Sequence, residues 1–345
     1  MSVPVVYVAY HHRPMSVGLF FRMAFQQAGC RVFSMGPVTP DVYGLDWARG
    51  ELIEPDVVTG IRPYGSTEIL AQAAAARLPM PDLVVMIDQY DQFFLVGNVV
   101  EAHPVHGTYV AVENWNAEQR SRYDLRQGWD EYHMISHSDQ APLPENSEWM
   151  LFGADPFVHP FWGLVRDKLT CQIGSTYEPR PQVWNELRRI LDEAPNVGTG
   201  EYSKALIESQ RTIFGKCASY RAMAEAYNRS ETALSSSNVD FIPMRAPEAF
   251  ALGSILLSDD VSSMRRAYGA PWPENQHGIW VAHDRTPQGI IDQISMIKID
   301  REGIRSRALA FVAGGHWYYH RAIQVLKRAS LLPLSLGRMT VRAGS

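Results

Sequence analysis

PVVYVAYHHRPMSVGLFFRMAFQQAGCRVFSMG, residues 4–36, is the stretch from which the fold is read. Its opening run, VVYVAY, is apolar without alternation, the pattern of a strand buried on both faces of a parallel sheet. A loop, HHRPMSVG, follows. LFFRMAFQQAG then places Phe20, Phe21 and Phe25 at helical spacing and stops at Gly29, and CRVFSMG reads as the next strand. Together these form a strand–helix–strand unit, the connection that parallel strands require.

The pattern resumes down the chain. A helix is predicted over 67–77, strands over 82–87 and 107–112, a polar helix over 117–127, and a strand over 132–136. A parallel sheet of this kind opens its ligand crevice at the strands' carboxyl ends. The loops placed there carry His11, His12 and Arg13, then Asp88, then Glu113 and Asn114, then His137. EWMLFGADPFVHPF, residues 148–161, is dense in proline and aromatics and suits an interdomain connection. A second series begins with the strand KLTCQIGS. Helices follow over 182–193, 202–210 and 219–227, then the short strand TALSSS, an apolar strand over 254–258 and a strand over 278–282. Helices over 287–296, 304–313 and 317–329 close it. The expected division is a first domain over 1–162, a second over 163–330, and an irregular tail over 331–345.

Composition agrees with two domains. The 345 residues exceed one ordinary domain, and 46% hydrophobic with 20% charged residues is the balance of a soluble globular chain. A net charge of −5 speaks against a surface that coats nucleic acid and leaves room for a local basic channel. Cys30, Cys171 and Cys217 are far apart and form no metal-binding pattern, as expected of core thiols in a reducing compartment. The start has no basic leader with a cleavage site, and no run reaches the roughly 18 apolar residues of a membrane span. The expected location is cytoplasmic.

The chemistry concentrates in VDFIPMRAPEAFALGSILLSDD, residues 239–260. Asp240 and Glu248 bracket seven residues that contain Arg245 and no other charge. Pro247 suits the first position of a short helix, Glu248 its first turn, and Gly253 its end. A carboxylate so placed serves either as a helix cap or, beside Arg245 and exposed amides, as the grip on a diol whose phosphates those donors hold. The second use suits a sugar nucleotide. Gly174 and Ser175, in the turn after KLTCQI, let backbone approach a phosphate closely. Arg180 and Arg245 are the best-placed cations, with Lys216 a weaker one; each also reads as an ordinary surface residue. Asp88 and Glu113 follow apolar strands directly, so each either orients an acceptor hydroxyl and takes its proton or caps the next helix. His11 and His137 occupy comparable positions, and Gly18 leaves space for a ligand near the first loop. Trp115, Trp129, Trp149, Trp162 and Trp184 include candidates for stacking on a sugar or base. The chain has no Asp-x-Asp pair and no cysteine cluster, so no metal is expected.

The order of GSTYEPR (174–180), YNRSETALSSS (227–237), PMRAPEAFALGSILLSDD (243–260) and YYHRAIQVL (318–326) resembles the glycosyltransferase domain of the CgeB-like spore maturation proteins, within the GT-B nucleotide-sugar transferases. The resemblance covers about residues 165–330. GADPFVHP (153–160) looks like the Gly-x-Asp…Pro run at the interdomain linker of that group. The resemblance implies an α/β fold of GT-B type, with two Rossmann-like domains whose parallel sheets face an interdomain cleft. The first would be the acceptor domain, the second the donor domain. It implies transfer of a hexose or related sugar from a nucleoside diphosphate sugar to an acceptor hydroxyl, with the nucleotide sugar as co-substrate and no resident cofactor. Retaining members carry an acid pair with seven intervening residues, usually two glutamates; Glu248 would then hold the ribose hydroxyls and Asp240 would lie near the donor sugar. Here the first acid is Asp, one methylene shorter. A glycan, a surface component, a metabolite and a modified DNA base are all compatible acceptors. A sugar-nucleotide sensor or assembly protein without turnover is the alternative.

Overall fold

The structure is a computed structural model, and it describes residues 2–12, 16–38, 55–59, 66–88, 105–112, 129–134, 147–174, 180–191, 211–215, 219–235 and 244–332. The expected helices over 117–127 and 202–210, and most of the tail, lie outside these residues.

Two parallel sheets form. The first contains β1 (Val5–Ala9), β2 (Arg31–Gly36), β3 (Val57–Val58), β4 (Leu83–Asp88), β5 (His106–Ala111), β6 (Trp129–His133) and β7 (Ser147–Trp149), in the order β3-β2-β1-β4-β5-β6-β7. The second contains β8 (Lys168–Ile173), β9 (Thr212–Gly215), β10 (Ser230–Ser235), β11 (Ile255–Ser258) and β12 (Trp280–Ala282), in the order β12-β11-β10-β8-β9. In the first, Val6 lies opposite both Val32 and Leu83, so β1 is covered by a strand on each edge. The residues of β1 beyond Val5 are buried on both faces, which is why the sequence there is apolar without alternation.

The helices are α1 (Val17–Gln27), α2 (Ser66–Ala75), α3 (Arg180–Leu191), α4 (Tyr220–Arg229), α5 (Arg245–Ala251), α6 (Val261–Tyr268), α7 (Pro287–Met296), α8 (Arg301–Gly315) and α9 (Tyr318–Arg328). Side-chain caps start several of them: Ser16 accepts from Gly18 N–H, Ser219 from Ala222 N–H, Asp260 from Ser263 N–H and Thr286 from Gly289 N–H. Strands β3, β7 and β9 and helix α6 are additions to the predicted elements. The short strands offer too few residues for a period to register, whereas α6 does carry a helical signal, Val261, Met264 and Tyr268 at helical spacing behind the Asp260 cap.

The last helix crosses back to the first sheet. Ala154 N–H donates to His316 O at 3.0 Å and Tyr318 N–H to Ala154 O at 2.8 Å, which lays the start of α9 along the linker. Its apolar face then meets α1. Phe20 stacks on Tyr318 with ring centroids 4.9 Å apart, and Phe21 meets the same ring edge-on at 5.5 Å. Buried aromatic side chains of this size each contribute roughly 2–3 kcal/mol. Arg321 donates from Nε to Leu151 O at 2.7 Å, and Arg328 pairs with Asp130 at 2.7 Å and Glu148 at 2.9 Å. One apolar cluster therefore runs from β1 through α1 and the linker into α4, α5 and α9.

Each sheet has a point where strand order reverses. In the first it falls between β1 and β4, in the second between β8 and β10. Connections leave such neighbours in opposite directions, which opens a crevice between their carboxyl ends.

Candidate functional site

Helix α5 begins at Arg245, two residues before the position predicted for its start, so Pro247 is its third residue and Glu248 its fourth. Proline is tolerated there because a first-turn N–H has no intrahelical acceptor. The predicted end is correct. Gly253 has φ +73°, and Leu252, Gly253 and Ser254 N–H donate back to Glu248, Phe250 and Ala249 carbonyls. Arg166, from the linker, caps the same carbonyl end by donating to Leu252 O at 3.1 Å. This pins α5 against the domain junction.

Arg245 crosses the carboxyl end of β8. Its Nη2 donates to Ile173 O, and the guanidinium occupies the space a side chain at residue 174 would need. Gly174, at φ +145°, is thus required both for its conformation and for this close approach. The predicted role of Gly174 concerned a phosphate; what its missing side chain admits here is Arg245. The Arg245 Nε–H is buried and has no acceptor among the described residues. The Tyr227 hydroxyl of α4 lies beside the same guanidinium, and burial holds its pKa well above the usual range.

Glu248 is 5% exposed and accepts no hydrogen bond from the described residues. Burial pushes its carboxyl up to about 7, against the opposing pull of Arg245. His159 of the linker places Nε2 3.7 Å from its Oε1. His159 is fully buried, and burial pulls its pKa down to about 3, so the imidazole is neutral and the contact dipolar rather than ionic. The linker makes one tight turn to place it. Asp155 accepts from Phe157 N–H at 2.8 Å and Val158 N–H at 3.2 Å, while its own N–H donates to His159 Nδ1 at 3.0 Å. In the sequence GADPFVHP reads as an interdomain connection and His159 as no part of the site; its proximity to Glu248 is tertiary and leaves no local pattern.

The other candidates distribute as follows. Arg180 is the first residue of α3. Ser175, Lys216 and Asp240 lie outside the described residues, as do Glu113, Asn114 and His137. Asp88 is the last residue of β4 and His11 follows β1, so both stand at the carboxyl edge of the first sheet beside its reversal point. His11 is buried there, at 6% exposure. Gly18 faces inward: the Tyr10 ring fills the space where its side chain would be, so it admits protein rather than ligand. Trp184 is core, stacked on Phe214, while Trp149 and Trp162 are exposed. Cys30 and Cys171 are buried free thiols. Among the described residues no helix is long and apolar enough to cross a membrane.

The second half matches a family model. Residues 182–327 match the glycosyl transferase-like family, a segment that contains Arg245 and Glu248. Solved structures extend the likeness over the whole chain. An alpha-glucosyltransferase in complex with UDP-glucose and DNA containing an abasic site superposes with a TM-score of 0.61 at 11% identity, over 95% of this chain and 100% of that one. A glycosyltransferase from Rickettsia africae ESF-5 gives 0.63 at 10% identity, over 97% and 100%. Sucrose-phosphate synthase from Thermosynechococcus elongatus gives 0.58 at 11%, over 96% and 99%. A sequence comparison with curated proteins finds no match. The fold is the GT-B arrangement of two parallel α/β units. With the family match, it defines the class: an enzyme of the glycosyltransferase type.

Proposed function

We propose that this enzyme moves a sugar from a uridine diphosphate sugar to an acceptor hydroxyl, with retention of configuration and without a bound metal. The observation that carries the reading is the pairing of two unsatisfied groups at the β8/β10 reversal point. A buried carboxylate accepts no hydrogen bond from the described residues, and beside it a buried guanidinium Nε–H has no acceptor among them. Buried polar groups are nearly always partnered, so a carboxylate and a cation left open side by side fit a ligand that offers both a diol and an anion. A nucleoside diphosphate does. Similar structures are complexes with UDP and UDP-glucose, which supports uridine as the nucleoside.

In this reading Glu248 accepts from the ribose hydroxyls. Arg245, anchored through Nη2 to the β8 carboxyl end, turns Nε–H to the diphosphate and stabilises the charge that develops as the sugar departs. Arg180 adds a second cation from the start of α3. A departing phosphate oxygen receives the acceptor proton, consistent with the retaining type suggested by the acid spacing, and Asp240 lies near the sugar. His11 and Asp88 stand on the acceptor side, at the edge of the first sheet. The buried free thiols suit the reducing cytoplasm.

Thermal-shift and calorimetric titration with UDP, GDP, ADP, CMP and dTDP sugars tests the donor. UDP and its sugars are expected to stabilise the wild type and to leave Glu248→Ala unshifted; an unchanged shift in that variant overturns the donor site. Transfer is then assayed on glycans, small hydroxylated metabolites and duplex DNA containing an HMU base, the last because one similar glucosyltransferase is described with such DNA. The anomeric configuration of the product, read by NMR, tests retention. Binding with neither transfer nor donor hydrolysis would favour a sensor.

A further inference from the structure

His159 stands where the interdomain turn meets Glu248, and its chemistry is set by that turn. Because Asp155 N–H donates to Nδ1, the ring proton resides on Nε2. Nε2 has no hydrogen-bond acceptor among the described residues and lies 3.7 Å from Glu248 Oε1. A donor without an acceptor thus faces an acceptor without a donor, both buried, about 1 Å short of a hydrogen bond. The imidazole is the fixed member. Its Nδ1 is tied to the turn, and the Phe20 ring lies 5.6 Å away, centroid to centroid. Glu248 sits on a four-bond side chain and is the member free to move.

Among the described residues, the other titratable groups facing Glu248 are Arg245 on its own helix, Tyr227 on α4 and Tyr318 on α9. Both phenols stay neutral, and Arg245 is committed through Nη2 to β8. We propose that His159 is a positioning residue for Glu248: its Nε2–H takes Oε1 and leaves the second carboxylate oxygen directed at the ribose diol. This rests on the donor-site reading above. It makes donor affinity depend on the interdomain turn, which Asp155 also joins to α1 through Gln27 at 3.5 Å.

Four variants test it: His159→Phe, which keeps a ring and removes the donor; His159→Gln, which keeps an N–H; Glu248→Gln; and the His159→Phe, Glu248→Gln double variant. UDP affinity is measured by calorimetry and stability by urea unfolding across pH. His159→Phe is expected to weaken UDP binding about tenfold, the effect of one hydrogen bond to a charged group. His159→Gln restores most of that loss, and in the Glu248→Gln background His159→Phe adds nothing. A loss of equal size in both backgrounds, or no loss at all, overturns the proposal. If Glu248→Gln binds UDP as tightly as wild type, the donor-site reading fails instead. The pH profile then decides the pairing by itself. Without the imidazole N–H, the pH at which Glu248 ionises in the folded protein shifts upward, and an unmoved profile overturns the pairing.

Discussion

Replacing Glu248 by Gln is expected to stabilise the protein above neutral pH and to change little in acid. The carboxyl titrates near 7 in the folded chain, against an ordinary 4.5. Between those values the folded protein holds a proton that the unfolded chain releases. The stability this residue contributes is therefore complete below about pH 4.5 and is lost as pH rises through about 7. Above that point the folded state carries a buried charge. At about 1.4 kcal/mol per pH unit, the full difference is about 3 kcal/mol. A neutral Gln of nearly the same volume removes the ionisation and with it the penalty. Urea unfolding of wild type and variant at about pH 5 and about pH 8 measures the gap directly, which should open by roughly 2.5 kcal/mol toward the higher pH, part of the full difference being already lost at pH 5. A gap of constant size, or one that widens toward acid, refutes the reasoning. The same variant is expected to bind UDP poorly, so stability and function move in opposite directions, as at a site held in readiness for a ligand.

Further expectations follow from the surroundings. Gly174→Ala places a methyl group in the Arg245 guanidinium at a left-handed backbone position; it should cost about 1–3 kcal/mol in unfolding experiments and weaken UDP binding in the same preparation. Arg321→Met leaves the Leu151 carbonyl without its donor and should cost about 2 kcal/mol by urea unfolding. Asn228 accepts from Trp162 N–H at 2.8 Å and donates to Pro160 O and Ala224 O at 2.9 Å each; Asn228→Ala should cost about 2–3 kcal/mol, and an unchanged midpoint would show that water replaces all three bonds. Gly18→Ala drives a methyl into the Tyr10 ring and should lower the melting temperature by several degrees.

The sheets were legible because parallel strands covered on both faces must be apolar throughout, as in VVYVAY, and no helix of that length tolerates so many β-branched residues cheaply. That Arg245 and Glu248 share the start of one short helix was legible, because Pro247 and Gly253 mark its two ends in a charge-poor run. The start of α5 was misplaced by two residues because proline marks the first turn of a helix rather than a single position within it. His159 was out of reach: what matters is the turn at Asp155 that fixes its tautomer and the folding of α5 onto the linker, and neither leaves a periodic trace. The space around Gly18 was read as room for a ligand because a sequence shows that a side chain is missing and does not show what fills the gap. Tyr10, eight residues earlier, fills it.

The return of α9 to the first sheet has a consequence for synthesis. As the chain emerges, β1, α1 and the remaining strands of the first unit are complete long before residues 318–328 appear, and until then Phe20 and Phe21 lack the Tyr318 ring that covers them. The first half therefore waits, with an apolar helix face open, for the last helix to be made. Folding of this enzyme on the ribosome cannot proceed as two independent events, because the lock on the earlier unit is carried by the final element of the later one.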